Sequence, residues 1–120
     1  MNFIFVALGG ALGACLRYSI SMIPFRGSFP VLTMITNILG ALIIGFIAGY
    51  AKSRDVSRNT MLFIKTGICG GFTTFSTFSL EAYELLDKGQ TALAVLYAAL
   101  SVIGCVAGVW VGMMTAKTVI

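Results

Sequence analysis

Four apolar stretches, each close to twenty residues long, alternate with three short polar interruptions along the chain. The stretches run from about Asn2 to Met22, Val31 to Ala51, Thr60 to Glu81 and Gln90 to Met114. The first interruption is Pro24 followed by Phe25-Arg26-Gly27-Ser28-Phe29-Pro30, and the second is the charged run from Lys52 to Asn59. The third is a polar turn holding Glu84, Asp87, Lys88 and Gly89. A helix of about 20 apolar residues rises about 30 Å, which is the thickness of a bilayer's hydrocarbon core. The pattern therefore predicts an all-α integral membrane protein, a single transmembrane domain of four helices over residues 1–120.

The third stretch is the least regular of the four. It contains Gly67-Ile68-Cys69-Gly70-Gly71-Phe72-Thr73-Thr74-Phe75-Ser76-Thr77-Phe78-Ser79. Glycines close together weaken a helix, and unpaired backbone in lipid is tolerated only inside protein or beside a wet cavity. A break is thus expected near the middle of this helix, at Gly70-Gly71. Carbonyls freed there suit a cation, and the amide end of the new half-helix suits an anion. Phe72, Phe75 and Phe78 are three apart and share one drifting face. Their ring edges are weakly positive and can line an anion path without a full charge, although rings at this spacing also serve plain packing.

Two other stretches carry polar groups at helical spacing. Thr33 and Asn37 lie four apart in the second, and Tyr97, Ser101 and Cys105 form a narrow stripe in the fourth. Intramembrane polar groups face a partner or a water path, and neutral donors let an anion bind and then leave. Glycines repeat at four in Gly9 and Gly13, in Gly45 and Gly49, and in the row Gly104, Gly108 and Gly112. Such stripes let backbones approach closely and imply a tight bundle or dimer.

Composition narrows the function. Hydrophobic residues make up 58% and charged residues 10%, against about 25% charged in ordinary soluble domains. The net charge of +4 is scattered near helix ends and forms no basic stripe, which argues against nucleic acid. There is no histidine, and Cys15, Cys69 and Cys105 form no Cys-x-x-Cys pair, so a zinc or haem site lacks ligands. A hydrolase would need a nucleophile beside a base, and a proton-coupled exporter a carboxylate deep in a span; neither is found. Leu12-Gly13-Ala14-Cys15 has the form of a lipoprotein cleavage box, but no positive side chain precedes it and three more apolar stretches follow. With four spans, Lys52, Arg54, Arg58, Lys65 and Lys117 fall on one side of the membrane and Arg17, Arg26 and Lys88 on the other. So small a bias fixes orientation weakly and leaves antiparallel dimers open to the chain.

These residues together resemble the Fluc (CrcB) fluoride channels, small four-span proteins of bacteria. The resemblance covers essentially the whole chain. Its most specific part is Gly70-Gly71-Phe72-Thr73-Thr74-Phe75-Ser76-Thr77-Phe78, supported by Gly9-Gly10-x-x-Gly13-Ala14-x-x-Arg17-Tyr18 and Thr33-x-x-x-Asn37-x-x-Gly40. It implies an antiparallel, dual-topology homodimer in the inner membrane, surrounded by lipid, with two fluoride pores. It implies Phe75 and Phe78 as the pore phenylalanines, with Asn37, Tyr97, Ser101 and Thr77 as polar pore residues. It also implies one structural sodium ion between subunits, held by the backbone carbonyls of Gly70 and Thr73. Arg17 and Glu81 match further family positions. Cys105 stands where a serine can occur, and Leu32 precedes Thr33 where glycine is frequent. The function so implied is passive, fluoride-selective export that lowers fluoride toxicity, with no enzymatic activity. A small proton-coupled multidrug exporter is the alternative from another class, and a non-conducting membrane assembly protein is a third.

Overall fold

The computed structural model describes residues 2–120. All regular structure among them is helical. Helix α1 covers Asn2–Ser21 and α2 covers Val31–Ser53. The third segment opens with one turn, α3 (Arg58–Met61), whose first amides are met by the Ser57 side chain accepting from the Thr60 N–H. It widens into a π-helical stretch over Leu62–Cys69 and returns to an α-turn, α4 (Gly70–Phe72). Thr73 and Thr74 are extended, and α5 (Phe75–Asp87) starts after them. The last helix, α6, spans Thr91–Val119, five residues beyond the expected end at Met114.

The helix interruption is displaced from where glycine content puts it. Gly70 and Gly71 are helical, and the chain opens only at Thr73-Thr74. Low glycine propensity costs about 1 kcal/mol per residue, which tertiary packing readily overrides. β-Branched threonines accept the extended conformation more easily, and the next subsection shows what they bond to there.

Among the described residues, three helices are long and apolar enough to cross a membrane: α1, α2 and α6. Their outer faces remain covered with large apolar groups, among them Phe3, Leu8, Leu12 and Leu16 on α1 and Ile103, Val106 and Trp110 on α6. Water would not tolerate so continuous an apolar surface, whereas lipid or a second protein would. The longest dimension is 49 Å, ample for a hydrocarbon core of about 30 Å.

The helices associate as two close pairs. In one, α2 lies on α6: Gly45 faces the Val109 backbone, Gly49 faces Met113 and Ala116, and Gly112 faces the Leu42 and Phe46 backbones. In the other, α1 lies on the first half of the third segment. A methyl group on Gly13 would come within 2.8 Å of the Phe72 nitrogen, and one on Gly67 within 2.8 Å of the Gly9 Cα. The glycine rows read from the sequence are therefore contacts between helices of one chain. α5 joins the pairs by packing Leu85 against Ala94 and Tyr97 of α6. The turn between them is a Schellman arrangement: Gly89 has φ of +77°, its N–H donates to the Leu86 carbonyl, and the Gln90 N–H donates to that of Leu85.

Backbone contacts of this kind leave no room to relax. Gly13→Ala should lower the unfolding free energy of the detergent-solubilised protein by about 1–3 kcal/mol. Gly10→Ala, whose new methyl meets nothing within 4 Å, should change it by less than about 0.5 kcal/mol. Thermal or denaturant unfolding of the two variants side by side checks this. Equal loss in both would mean that helix propensity, not close approach, sets the cost.

Candidate functional site

The opening at Thr73-Thr74 is held by one side chain. Asn37 projects from α2 and pairs with the Thr74 backbone in both directions: its Nδ2 donates to the Thr74 carbonyl at 3.1 Å, and its Oδ1 accepts the Thr74 N–H at 2.8 Å. The amide thus supplies what a neighbouring strand would supply to an extended residue. Thr74 then caps α5, its Oγ1 accepting the Thr77 N–H at 3.1 Å and donating to Thr77 Oγ1 at 3.0 Å. Thr73 turns its hydroxyl back to the Cys69 carbonyl and seats its methyl on Gly40. A side chain at position 40 would occupy that place.

The opening changes the carbonyl accounting. Cys69 O accepts the Thr73 N–H, and Gly71 O accepts Arg17 Nε from α1 at 3.1 Å. The Thr74 N–H, which would have closed on Gly70 O in a continuous helix, goes to Asn37 instead. Gly70 O and Thr73 O are left without an amide donor from the described residues. Gly70 is also exposed, with open space around its Cα.

A groove of about 270 Å³ runs beside the opening. Asn37, Thr73, Thr74, Phe75 and Phe78 form one wall, and Ser101, Val102 and Cys105 of α6 form the other. No ionisable side chain other than the Cys105 thiol is among them. The Phe75 and Phe78 ring centres are 5.6 Å apart and tilted by 38°. Phe75 is 79% exposed, so its ring, like the outer faces of α1 and α6, is left to lipid or a second protein. Ser101 is only 6% exposed, and its Oγ has no hydrogen-bond partner among the described residues. An orphaned buried hydroxyl costs about 1–3 kcal/mol, so a donor of this kind is poised for an acceptor that the chain itself does not provide.

Other residues singled out in the sequence lie around this groove rather than in it. Tyr97 is fully buried; its ring packs 5.0 Å from Phe78 and 5.5 Å from Phe29. Its hydroxyl donates to Glu81 Oε1 at 3.1 Å, while Thr33 donates to Glu81 Oε2 at 3.1 Å. One carboxylate therefore ties α2, α5 and α6 together, and the Tyr97 ring backs Phe78. Thr77 and Arg17 face a separate small chamber on the other side of Thr74. Sequence reasoning missed the part played by Thr74. Its spacing to Thr77, with a hydroxyl residue just ahead of a helical run, is an N-cap signal that identifies it.

Removing the Asn37 clamp has a local signature. Asn37→Ala should speed hydrogen exchange at the Thr74 amide by about tenfold or more, the equivalent of one lost hydrogen bond. Asn37→Asp keeps the acceptor but sets a carboxylate oxygen against the Thr74 carbonyl, and should destabilise the fold by about 1–3 kcal/mol. Exchange rates at Thr74 unchanged in both variants would show that the opening holds without Asn37.

Comparison with known proteins gives the family of the chain. A family profile described as "CrcB-like protein, Camphor Resistance (CrcB)" matches residues 4–113. A "Fluoride-specific ion channel FluC" from Methylobacterium sp. (strain 4-46) is 48% identical over 112 residues, covering 91% of this chain and 90% of the relative. One of the same name from Idiomarina loihiensis is 40% identical over 123 residues, covering 100% and 95%. Another from Clostridium perfringens (strain 13 / Type A) is 52% identical over 94 residues, covering 75% and 73%. Extended across nearly the whole chain, this similarity shows that the protein belongs to the CrcB-like family.

Proposed function

We propose that the protein is a fluoride-selective channel of the inner membrane that lets fluoride leave the cell passively. The observation that carries this reading is the groove lined by Phe75, Phe78 and Ser101, the last with a hydroxyl that has no partner among the described residues. Fluoride is small, hard and strongly hydrated, so a path for it must replace water with donors. Ser101 and the second N–H of Asn37 supply neutral donors, and the ring edges supply weak positive potential. None is charged, so the ion is held without being trapped. Tyr97 acts on this path through its contact with Phe78 and its bond to Glu81, which fix the ring between α5 and α6. Cys105 extends the groove by one helical turn with a weaker donor than a hydroxyl.

In this reading the chain makes four crossings, near residues 2–22, 31–51, 60–81 and 90–114, with the third broken at Thr73-Thr74. Two copies pair antiparallel. The pairing covers Phe75 and brings two openings together across a two-fold axis. The free carbonyls of Gly70 and Thr73 suit a sodium ion: they are neutral oxygens without amide donors among the described residues, and a methyl group added at Gly70 would meet nothing within 4 Å. Such an ion would satisfy carbonyls that lipid cannot. It is structural and is not transported.

The alternative, a proton-coupled exporter, has less support. Glu81, the carboxylate at the end of the third stretch, is engaged by Thr33 and Tyr97. Purified protein in liposomes decides between them. We expect fluoride efflux that follows the electrical potential and needs no proton gradient. Phe75→Ile and Phe78→Ile should each slow it by about tenfold, the effect of losing about 1.4 kcal/mol of ring-edge stabilisation. Efflux that stops when the proton gradient is collapsed would overturn the channel reading.

Orientation gives a second test. Adding three lysines beside Arg54 should force one orientation and lower efflux from cells that carry only that variant. Unchanged efflux would argue for a parallel assembly.

A further inference from the structure

We propose that a second groove, between the start of α1 and the start of the third segment, holds one anionic phospholipid, its acyl chain on Phe5, Leu8 and Phe63 and its phosphate beside Arg58, Asn59 and Thr60. This groove measures about 320 Å³ and is lined by Phe5, Leu8, Asn59, Thr60 and Phe63. Clefts that enclose a whole ligand measure about 300–1,000 Å³, so this one takes a stretch of a single acyl chain. Its lining is graded from polar to apolar. Asn59 and Thr60 stand in the first turn of the third segment, where the crossing begins, and Phe63 lies one turn further in. Leu12, exposed one turn beyond Leu8 on the same face of α1, carries the apolar surface deeper.

The connection that leads into the groove decides the sign of the headgroup. Between residues 52 and 59 it holds Lys52, Arg54 and Arg58 against Asp55, a net charge of +2 (three minus one). All four of these side chains are exposed. At the opposite end of the fold, Arg26 and Lys88 are balanced by Glu84 and Asp87. The basic excess therefore lies at the end where the groove opens. Arg58 directly precedes the two polar lining residues, and a guanidinium matches phosphate oxygens two at a time. Ser57 and Thr60 share one hydroxyl–hydroxyl bond at 2.8 Å, which leaves one of their two protons for a further acceptor. Asn59 adds an exposed amide.

The apolar wall supplies a fit but little preference, because one lipid tail packs as well as another. Preference comes from the headgroup: each basic residue near the surface raises affinity for an anionic lipid about fivefold. Free phosphate would make no use of Phe5, Leu8 and Phe63. A second copy of the chain needs more contact than five residues give, since stable interfaces bury roughly 800 Å² on each partner. The site rests on the placement of the chain in a membrane and is independent of the fluoride reading.

Phosphatidylglycerol with a photoactivatable diazirine in its acyl chain is the probe, and phosphatidylcholine with the same chain is the reference. The full-length protein is irradiated in phosphatidylcholine vesicles that carry a trace of one or the other, and labelled peptides are located by mass spectrometry. Labelling at residues 5–8 and 59–63 should be about fivefold or more stronger with phosphatidylglycerol. Arg58→Gln should lower that labelling about fivefold and leave the phosphatidylcholine labelling unchanged. Arg26→Gln, at the opposite end of the fold, should alter neither. Equal labelling by the two lipids would mark ordinary boundary lipid and overturn the proposal, as would an Arg58→Gln protein labelled like the parent. A groove labelled by neither lipid, while the outer faces of α1 and α6 are labelled, would mean that protein covers it, a second copy included, and overturns the proposal equally. None of these outcomes depends on whether the protein conducts fluoride.

Discussion

The paired bonds between the Asn37 amide and the Thr74 backbone are the constraint on which the rest of the arrangement depends. An extended residue between two helices exposes an N–H and a carbonyl that a membrane interior cannot satisfy. Asn37 meets both from a rigid helix, at a cost of one polar side chain. Because the Thr74 amide is taken, Gly70 O is released; because Thr74 is fixed, its hydroxyl caps α5. The direction of α5, the position of Phe75 and Phe78, and the carbonyls left open near the opening follow from that single pairing.

Close helix packing makes the pairing sturdy. α2 brings Asn37 to the opening from a helix locked onto α6 through Gly45, Gly49 and Gly112. α1 is pressed onto the other side of the segment through Gly9 and Gly13, and sends Arg17 to Gly71 O. Two helix pairs thus grip the interruption from opposite sides. The polar atoms form three short groups: Arg17 with Gly71; Asn37 with Thr74 and Thr77; and Thr33 with Tyr97 on Glu81.

Much of this was legible in the sequence, because the signals were local. Apolar run lengths gave the helices, and the glycine repeats gave the close faces. The hydroxyl and phenylalanine run marked the third segment as irregular, and the stripe Ser101–Cys105 did face the same groove as Phe75. What was not legible depended on contacts between distant residues. The interruption fell at Thr73-Thr74 instead of Gly70-Gly71 because Asn37, 37 positions away, bonds Thr74, and glycine propensity knows nothing of that partner. Thr77 sits in the same motif as Phe78 yet faces Arg17, since a helix turns successive residues to different sides. Tyr97 shares a stripe with Ser101, but it is fully buried in a cluster with Leu85, Ala94, Phe29 and Phe78 and bonds Glu81.

The Schellman turn at Lys88-Gly89-Gln90 bears on where this chain can change length over evolution. It joins α5 to α6 with no slack, and both of its hydrogen bonds and the left-handed Gly89 belong to the junction. Phe78 and Tyr97 sit a fixed number of residues on either side of it, so one inserted residue would rotate one ring away from the other. The connection after Ser53 is different: Arg54 to Ser57 are largely exposed, with few internal bonds. Insertions, tags and fused domains should therefore accumulate at that connection across relatives, while the α5–α6 junction keeps constant length.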